Sequence, residues 1–334
     1  MFQKIFVEKR IFNKTETELI LNKFPKEKVV VINDHRNIFD LLPRSHSVEK
    51  KKKNLILADY DGLIVKEAPP AYGFSSLPHF YFIHAKNCIY ECQYCFLQGY
   101  FKSPDILIHL NYDKLCSALK SSFQEHSNGA WYHAGEFSDS LALSSITNEL
   151  PYLFNLFKSF PNHFLELRTK SANIKSLLKL KPTNNIIVSF SLSPKSSAKD
   201  YDLRASSVNA RIAVMKRLAE KGYILGIHFD PIIYSENYIE LYSELINEIV
   251  QNINVQSIKY FSIGTVRFTK EVFQQLKTNY PDSNIFQRQF IKGFDGKFRY
   301  HKPLRKTIQM EIKERLIQNE VTEEVIYFCM EDES

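Results

Sequence analysis

The sequence predicts an α/β protein built from parallel βα units, arranged as an open doubly wound sheet or as a full or partial (β/α) barrel. Two observations predict it. From residue 79 onward, short aromatic or β-branched runs that suit buried strands alternate with longer segments of helical period. The 334 residues, 44% hydrophobic and 24% charged, suffice for a large core, and no apolar run reaches the ~18 residues of a membrane helix.

Residues 1 to 75 read as an N-terminal α/β region with strands at Lys28 to Asn33 and Asn54 to Ala58 and a helix at Glu16 to Lys23. Three prolines and a glycine between Ala68 and Pro78 place a domain boundary there, and residues 76–334 form the second unit. Its strands are expected at His79 to His84, Ala130 to His133, His163 to Arg168, Asn185 to Ser191, Tyr223 to Phe229 and Ser257 to Ile263. Between the fourth and fifth, Ser206 or Ser207 caps a helix whose apolar face is Val208, Ile212, Met215 and Ala219, and Gly222 ends it. Tyr238, Tyr242, Leu245 and Ile249 mark the next helix. Asp295-Gly296 predicts the two-residue turn of a hairpin at about 291–302. A helix with Ile308, Ile312 and Leu316 on one face and a strand Val325 to Cys329 close the chain.

The N-terminus MFQKIFVEKR carries charges where a signal peptide would be apolar, which argues for a cytoplasmic protein. The net charge of +7 permits a polyanionic partner, and its one dense run, Lys50 to Lys53, reads as an exposed loop. The five cysteines are odd in number and three fall within eight residues, a pattern of a reducing compartment rather than of a disulfide framework.

Those three, Cys88, Cys92 and Cys95, form a C-x3-C-x2-C motif in the loop after the first predicted strand of the second unit. Thiolates bind soft metals, so iron–sulfur and zinc are the candidates. Structural zinc normally takes four ligands and no second cysteine pair is present; Cys116 reads as a core residue, Cys329 belongs to the terminal strand, and His84 reads as a core histidine. Three cysteines on a [4Fe–4S] cubane leave one iron open to a small molecule, and S-adenosylmethionine (SAM) is a known partner for such chemistry. Ends of parallel strands are where such a site belongs.

The motif, with Tyr94 before its third cysteine, resembles the signature of radical SAM enzymes. Asn87 to Phe101, NCIYECQYCFLQGYF, is similar to the spore photoproduct lyase family in particular. The likeness continues through Gly135 to Ser140, Arg168-Thr169-Lys170, Ser189 to Ser191, Gly222 to Gly226, Arg267 to Lys270 and Asp295 to Tyr300. It implies a partial (β/α)6 barrel of the radical SAM type, a [4Fe–4S] cluster on Cys88, Cys92 and Cys95, and SAM on the fourth iron. It further implies a 5′-deoxyadenosyl radical that takes a hydrogen atom from C6 of a thymine dimer in DNA, after which two thymines are restored. Glu136, Ser138 and Asp139 are the candidate acceptors for the SAM ammonium, although Ser138 or Asp139 also suits a helix cap. Lys170 and Ser191 are implied at the SAM carboxylate, and Tyr94 beside bound SAM. The basic and aromatic set Arg267, Lys270, Lys292, Lys297, Arg299, Tyr300, Lys302 and Arg305 is the candidate DNA surface, with the hairpin as a wedge. A monomer served by an electron donor such as ferredoxin or flavodoxin completes the expectation.

Two departures concern one step. The lyase carries a hydrogen-donating cysteine shortly after the second strand, and Trp131 to Ser138 has none; Phe96 stands where the lyase has a tyrosine. Two other readings therefore stand beside lesion repair: a lyase-like radical SAM enzyme on a different substrate, and a zinc-holding nucleic-acid-binding protein.

Overall fold

The computed structural model describes residues 2–39, 53–69, 72–293 and 295–331. Its main sheet sets β1 (His79–Phe82), β2 (Trp131–His133), β3 (Phe164–Thr169), β4 (Ile186–Ser191), β5 (Ile224–Ile232) and β6 (Ile258–Thr265) side by side in chain order, all parallel. β7 (Ile326–Phe328) extends it in parallel beyond β6, and Val65–Glu67 borders β1 antiparallel. The two end strands do not pair, so the curled sheet is a partial barrel. All six residues of β4 are buried, as expected of a strand covered on both faces.

Local signals explain the connections. The helix Val208–Glu220 begins where Ser207 Oγ accepts from the Ala210 N–H (3.3 Å), and Gly222, at φ 90°, ends the segment in a conformation that disfavours side chains. Helices Tyr238–Asn252 and Lys302–Gln318 bury the apolar stripes their spacing announces.

A second sheet runs Val29–Ile32, Ile5–Glu8, Leu55–Ala58, Ile106–His109, Ala85–Lys86. The boundary expected near residue 75 cuts both sheets: this one takes its last two strands from beyond it, while Val65–Glu67 from before it joins β1. Long-range pairing, not local composition, decides the division. The arrangement matters for the site, because the cysteine loop is an excursion held at both ends by this sheet.

Of the lysine run, 50–52 lie outside the described residues. Lys53 is buried rather than on an exposed loop, and its Nζ donates to the Cys88 carbonyl (3.3 Å). In the hairpin, Phe294 lies outside the described residues. The turn is longer than the two-residue one expected: Gly296 N–H donates to Gly293 O (3.0 Å) and Gly293 N–H to Lys297 O (2.8 Å), with Gly296 at φ 77°. Arg267–Phe268, Phe298–Arg299 and Ile291–Lys292 form a small antiparallel sheet there. Among the described residues, no helix is long and apolar enough to cross a membrane.

Candidate functional site

Each part of the cysteine loop has an anchor. Asn87 enters at φ 67° and its Nδ2 donates to the carbonyls of Ser103 (2.7 Å) and Asp105 (2.8 Å). Glu91–Cys92 pairs antiparallel with Asp202–Leu203, and Gln98 Nε2 holds the Cys92 carbonyl at 2.8 Å. Burial pushes all three thiols above their ordinary pKa. Four sulfurs about 2.3 Å from one tetrahedral zinc lie roughly 3.8 Å apart. Among the described residues, the one three-ligand group whose atoms all fall within 4.8 Å is Glu8, Asp34 and His35, where Arg10 already pairs Glu8. The three motif thiols are not such a group. His84, a conceivable fourth zinc ligand, is buried with Nδ1 on Glu149 (3.0 Å).

The cysteines share the wall of a cavity of about 580 Å³ at the C-terminal ends of the barrel strands. Tyr94, Glu136, Ser138, Asp139, Lys170 and Ser191 also line it, so the structure brings the whole expected set together. The side chains do different things. Asp139 accepts from the Leu141, Ala142 and Lys170 N–H groups and from Thr169 Oγ1, so its carboxylate ties the β2 loop to the end of β3. Ser138 Oγ donates to the Asn87 carbonyl (2.8 Å), clamping the cysteine loop. Both are better described as scaffold than as ammonium acceptors. Glu136 takes a hydrogen bond from Tyr72 through one oxygen. Gly135 lets this loop lie on β3, since a Cβ there would sit 3.0–3.2 Å from Ser140 Oγ and Arg168. Lys170 Nζ stands 5.5 Å from the centre of the Tyr94 ring.

Sequence reasoning missed the support behind Tyr94. Its hydroxyl donates to Asp202, and Asp202 pairs with Arg211 (2.8 Å), which has no solvent exposure. Arg211 also donates to the carbonyls of Ser191 (2.9 Å) and Ser206 (2.8 Å). Arg211, three residues after Val208 and four before Met215, falls on the buried face of its helix, and that position among apolar residues was the signal the sequence offered. Replacing it by methionine leaves Asp202 buried without a counter-charge, and a loss of about 3–5 kcal/mol is expected. Chemical denaturation of Arg211→Met checks this; an unchanged midpoint would refute the role given to the pair.

The basic and aromatic set divides. Tyr300 and Arg305, expected on a DNA-facing surface, belong to the interior: Tyr300 is 1% exposed and its hydroxyl accepts from Tyr234 N–H, while Arg305 is paired with Glu331 (2.8 Å). Arg267 reaches the cavity but is bound in bidentate fashion by Asp230 (3.0 and 3.1 Å), and Arg299 is paired with Asp295. Lys297 lines the cavity, and Lys270, Lys292 and Lys302 lie on the surface. Phe96 also lines the cavity, against Tyr100 and Phe137.

A partial barrel that gathers a C-x3-C-x2-C loop, an acidic loop, a lysine and a serine at its strand ends defines a radical SAM enzyme, which employs a [4Fe–4S] cluster and SAM. The chain belongs to the spore photoproduct lyase family, whose model matches residues 2–329. It is 23% identical to the spore photoproduct lyase of Clostridium acetobutylicum over 326 residues, 96% of this chain and 95% of that protein. It is 21% identical to that of Bacillus subtilis over 292 residues, covering 85% and 83%. A solved spore photoproduct lyase mutant with bound AdoMet and dinucleoside spore photoproduct superposes with a TM-score of 0.85 at 18% identity, covering 98% of both chains. The fold is therefore the expected one, and the enzyme is a radical SAM lyase.

Proposed function

We propose that this enzyme repairs the spore photoproduct, a methylene-bridged thymine dimer in DNA, by taking one hydrogen atom from it and returning one. The observation that carries the reading is the placement of the three cysteine thiols and the Glu136, Lys170 and Ser191 set around one cavity. The solved relative with AdoMet and dinucleoside spore photoproduct supports it.

The residues present fit the cofactors. Cys88, Cys92 and Cys95 would hold the cluster and leave one iron open, and the cluster with SAM supplies a 5′-deoxyadenosyl radical when reduced. Glu136 has an oxygen left to accept from the SAM ammonium, Lys170 offers the charge for its carboxylate, and Ser191 a hydroxyl. Tyr94, steadied by Asp202, gives a flat face beside Lys170. Water exclusion by the surrounding aromatic residues strengthens each of these contacts. Lys292, Lys297 and Lys270, on or beside the small antiparallel sheet, position phosphates of the lesion strand. A ferredoxin- or flavodoxin-like protein supplies the electron.

The test is anaerobic reconstitution, reduction and incubation with SAM and dinucleoside spore photoproduct, following 5′-deoxyadenosine and restored dithymidine. Restored product is expected; SAM cleavage without repair, with the lesion also offered in duplex DNA, would assign another substrate. Lys170→Ala should weaken SAM binding by about 10- to 100-fold, the worth of a charge-assisted hydrogen bond. Equilibrium dialysis of the cluster-loaded protein measures this, and an unchanged affinity would remove Lys170 from the SAM site.

A further inference from the structure

A methylene-bridged thymine dimer and two thymines contain the same atoms, so every hydrogen atom removed from the substrate must be matched by one returned. The residues near the second strand offer no thiol, and Phe96 carries no O–H. The fold brings a different thiol to the cavity. Cys329 follows β7, whose residues pair in parallel with β6 (Ile263 opposite Phe328), and its N–H donates to the Ile263 carbonyl (3.0 Å). That register sets Cys329 at the C-terminal edge of the sheet, where the site residues of the other strands emerge.

Cys329 is 3% exposed and lines the same cavity as the three motif cysteines, beside Asp230 and Arg267. Arg267 Nη2 donates to its sulfur (3.6 Å) while the same guanidinium is held in bidentate contact by Asp230. Burial, with the Asp230 charge in the same direction, pushes the Cys329 thiol up to about 12, so it keeps its hydrogen at neutral pH. Cys116, half-buried on the helix Tyr112–Glu125, does not line the cavity.

We propose that the Cys329 thiol is the hydrogen-atom donor that quenches the product radical; this rests on the repair reaction proposed above. In the step, the S–H bond breaks homolytically and a C–H bond forms, turning the methylene radical of the released thymine into its methyl group. Cys329 is left as a thiyl radical. One electron from a low-potential iron–sulfur or flavin donor and one proton from solvent restore the thiol, the donor being oxidised by one electron.

The test is turnover of dinucleoside spore photoproduct by the reconstituted enzyme in D2O, where thiol hydrogens exchange with solvent. Wild type should place one deuterium in the restored methyl group. Cys329→Ala should still form 5′-deoxyadenosine while labelled dithymidine falls at least tenfold. Cys329→Ser, closer in shape should the alanine variant fail to fold, should behave alike because an alcohol O–H is a poor hydrogen-atom donor. Cys116→Ala should match wild type. A readout independent of turnover is thiol modification of the cluster-loaded enzyme by methyl methanethiosulfonate, followed by peptide mass spectrometry. Saturating dinucleoside should slow modification of Cys329 and leave that of Cys116 unchanged. Wild-type yield and deuterium content in both Cys329 variants, or no protection of Cys329, would overturn the donor assignment alone. Absence of both 5′-deoxyadenosine and repair from the wild-type enzyme would overturn the reaction and the donor role together.

Discussion

Cys92→Ala should reduce reconstituted iron from about four atoms per chain to below one and abolish both the brown colour and SAM cleavage. The thiol is the only part of Cys92 that the substitution takes away from the site. The strand Glu91–Cys92 stays paired with Asp202–Leu203 through its backbone, and Gln98 still holds the residue's carbonyl. Two thiols cannot retain the cluster that three hold, and without it SAM has neither an iron nor an electron. The variant should therefore fold, as judged by circular dichroism, and be catalytically silent. Iron content and 5′-deoxyadenosine yield close to wild type would sink the cluster assignment. One zinc per chain and no iron in the wild-type protein would restore the zinc reading.

The parts of this site that were legible in the sequence are those in which local chemistry dictates structure. Runs such as Ile186 to Ser191 are buried on both faces and show as short stretches of β-branched and aromatic residues, so the strand positions follow within about three residues. The cysteine motif is legible because a cluster needs its thiols on one loop. Asp139 was less so: its acidic side chain in the right loop could bind a ligand or tie the loop down, and only the four donors around it decide for the tie. Tyr300 and Arg305 look like surface recognition residues until Tyr234 and Glu331 are seen beside them. Those partners lie 66 and 26 residues away in sequence, beyond any periodic signal. Cys329 became relevant for a similar reason, since only the pairing of β7 with β6 carries it to the cavity.

The interior of the barrel predicts marked acid sensitivity. Glu166 is fully buried and receives hydrogen bonds from His133, Ser189 (2.6 Å), His228 (2.7 Å), Tyr260 and Arg168 (3.1 Å). Burial alone would raise its pKa; Arg168, then His133 and His228, override this and hold it well below the carboxylate range. His228 faces this carboxylate and the Tyr260 hydroxyl, and burial followed by the Arg168 charge lowers it to about 4. Burial and His133 likewise lower His79 to about 4, and burial lowers His109 to about 3. A histidine whose folded pKa is depressed binds its proton in the unfolded chain first, at about pH 6.5. Between about pH 6.5 and 4 the unfolded state therefore holds more protons than the native one, and stability falls as pH falls. For His228 alone the loss by pH 4 is about 3 kcal/mol. The contribution of Glu166 is present above about pH 4.3 and is lost only on further acidification, through its lower folded pKa. Thermal unfolding from pH 8 to 4.5 should show Tm declining from about pH 6.5 downward, and less steeply in His228→Gln, which keeps a donor for Glu166 but has no titrating group. Acid damage to the cluster is common to both proteins and cancels in their difference. Parallel Tm profiles for the two would remove His228 from the account, and a flat profile in both would mean that the buried histidines bind protons alike in the folded and unfolded chain.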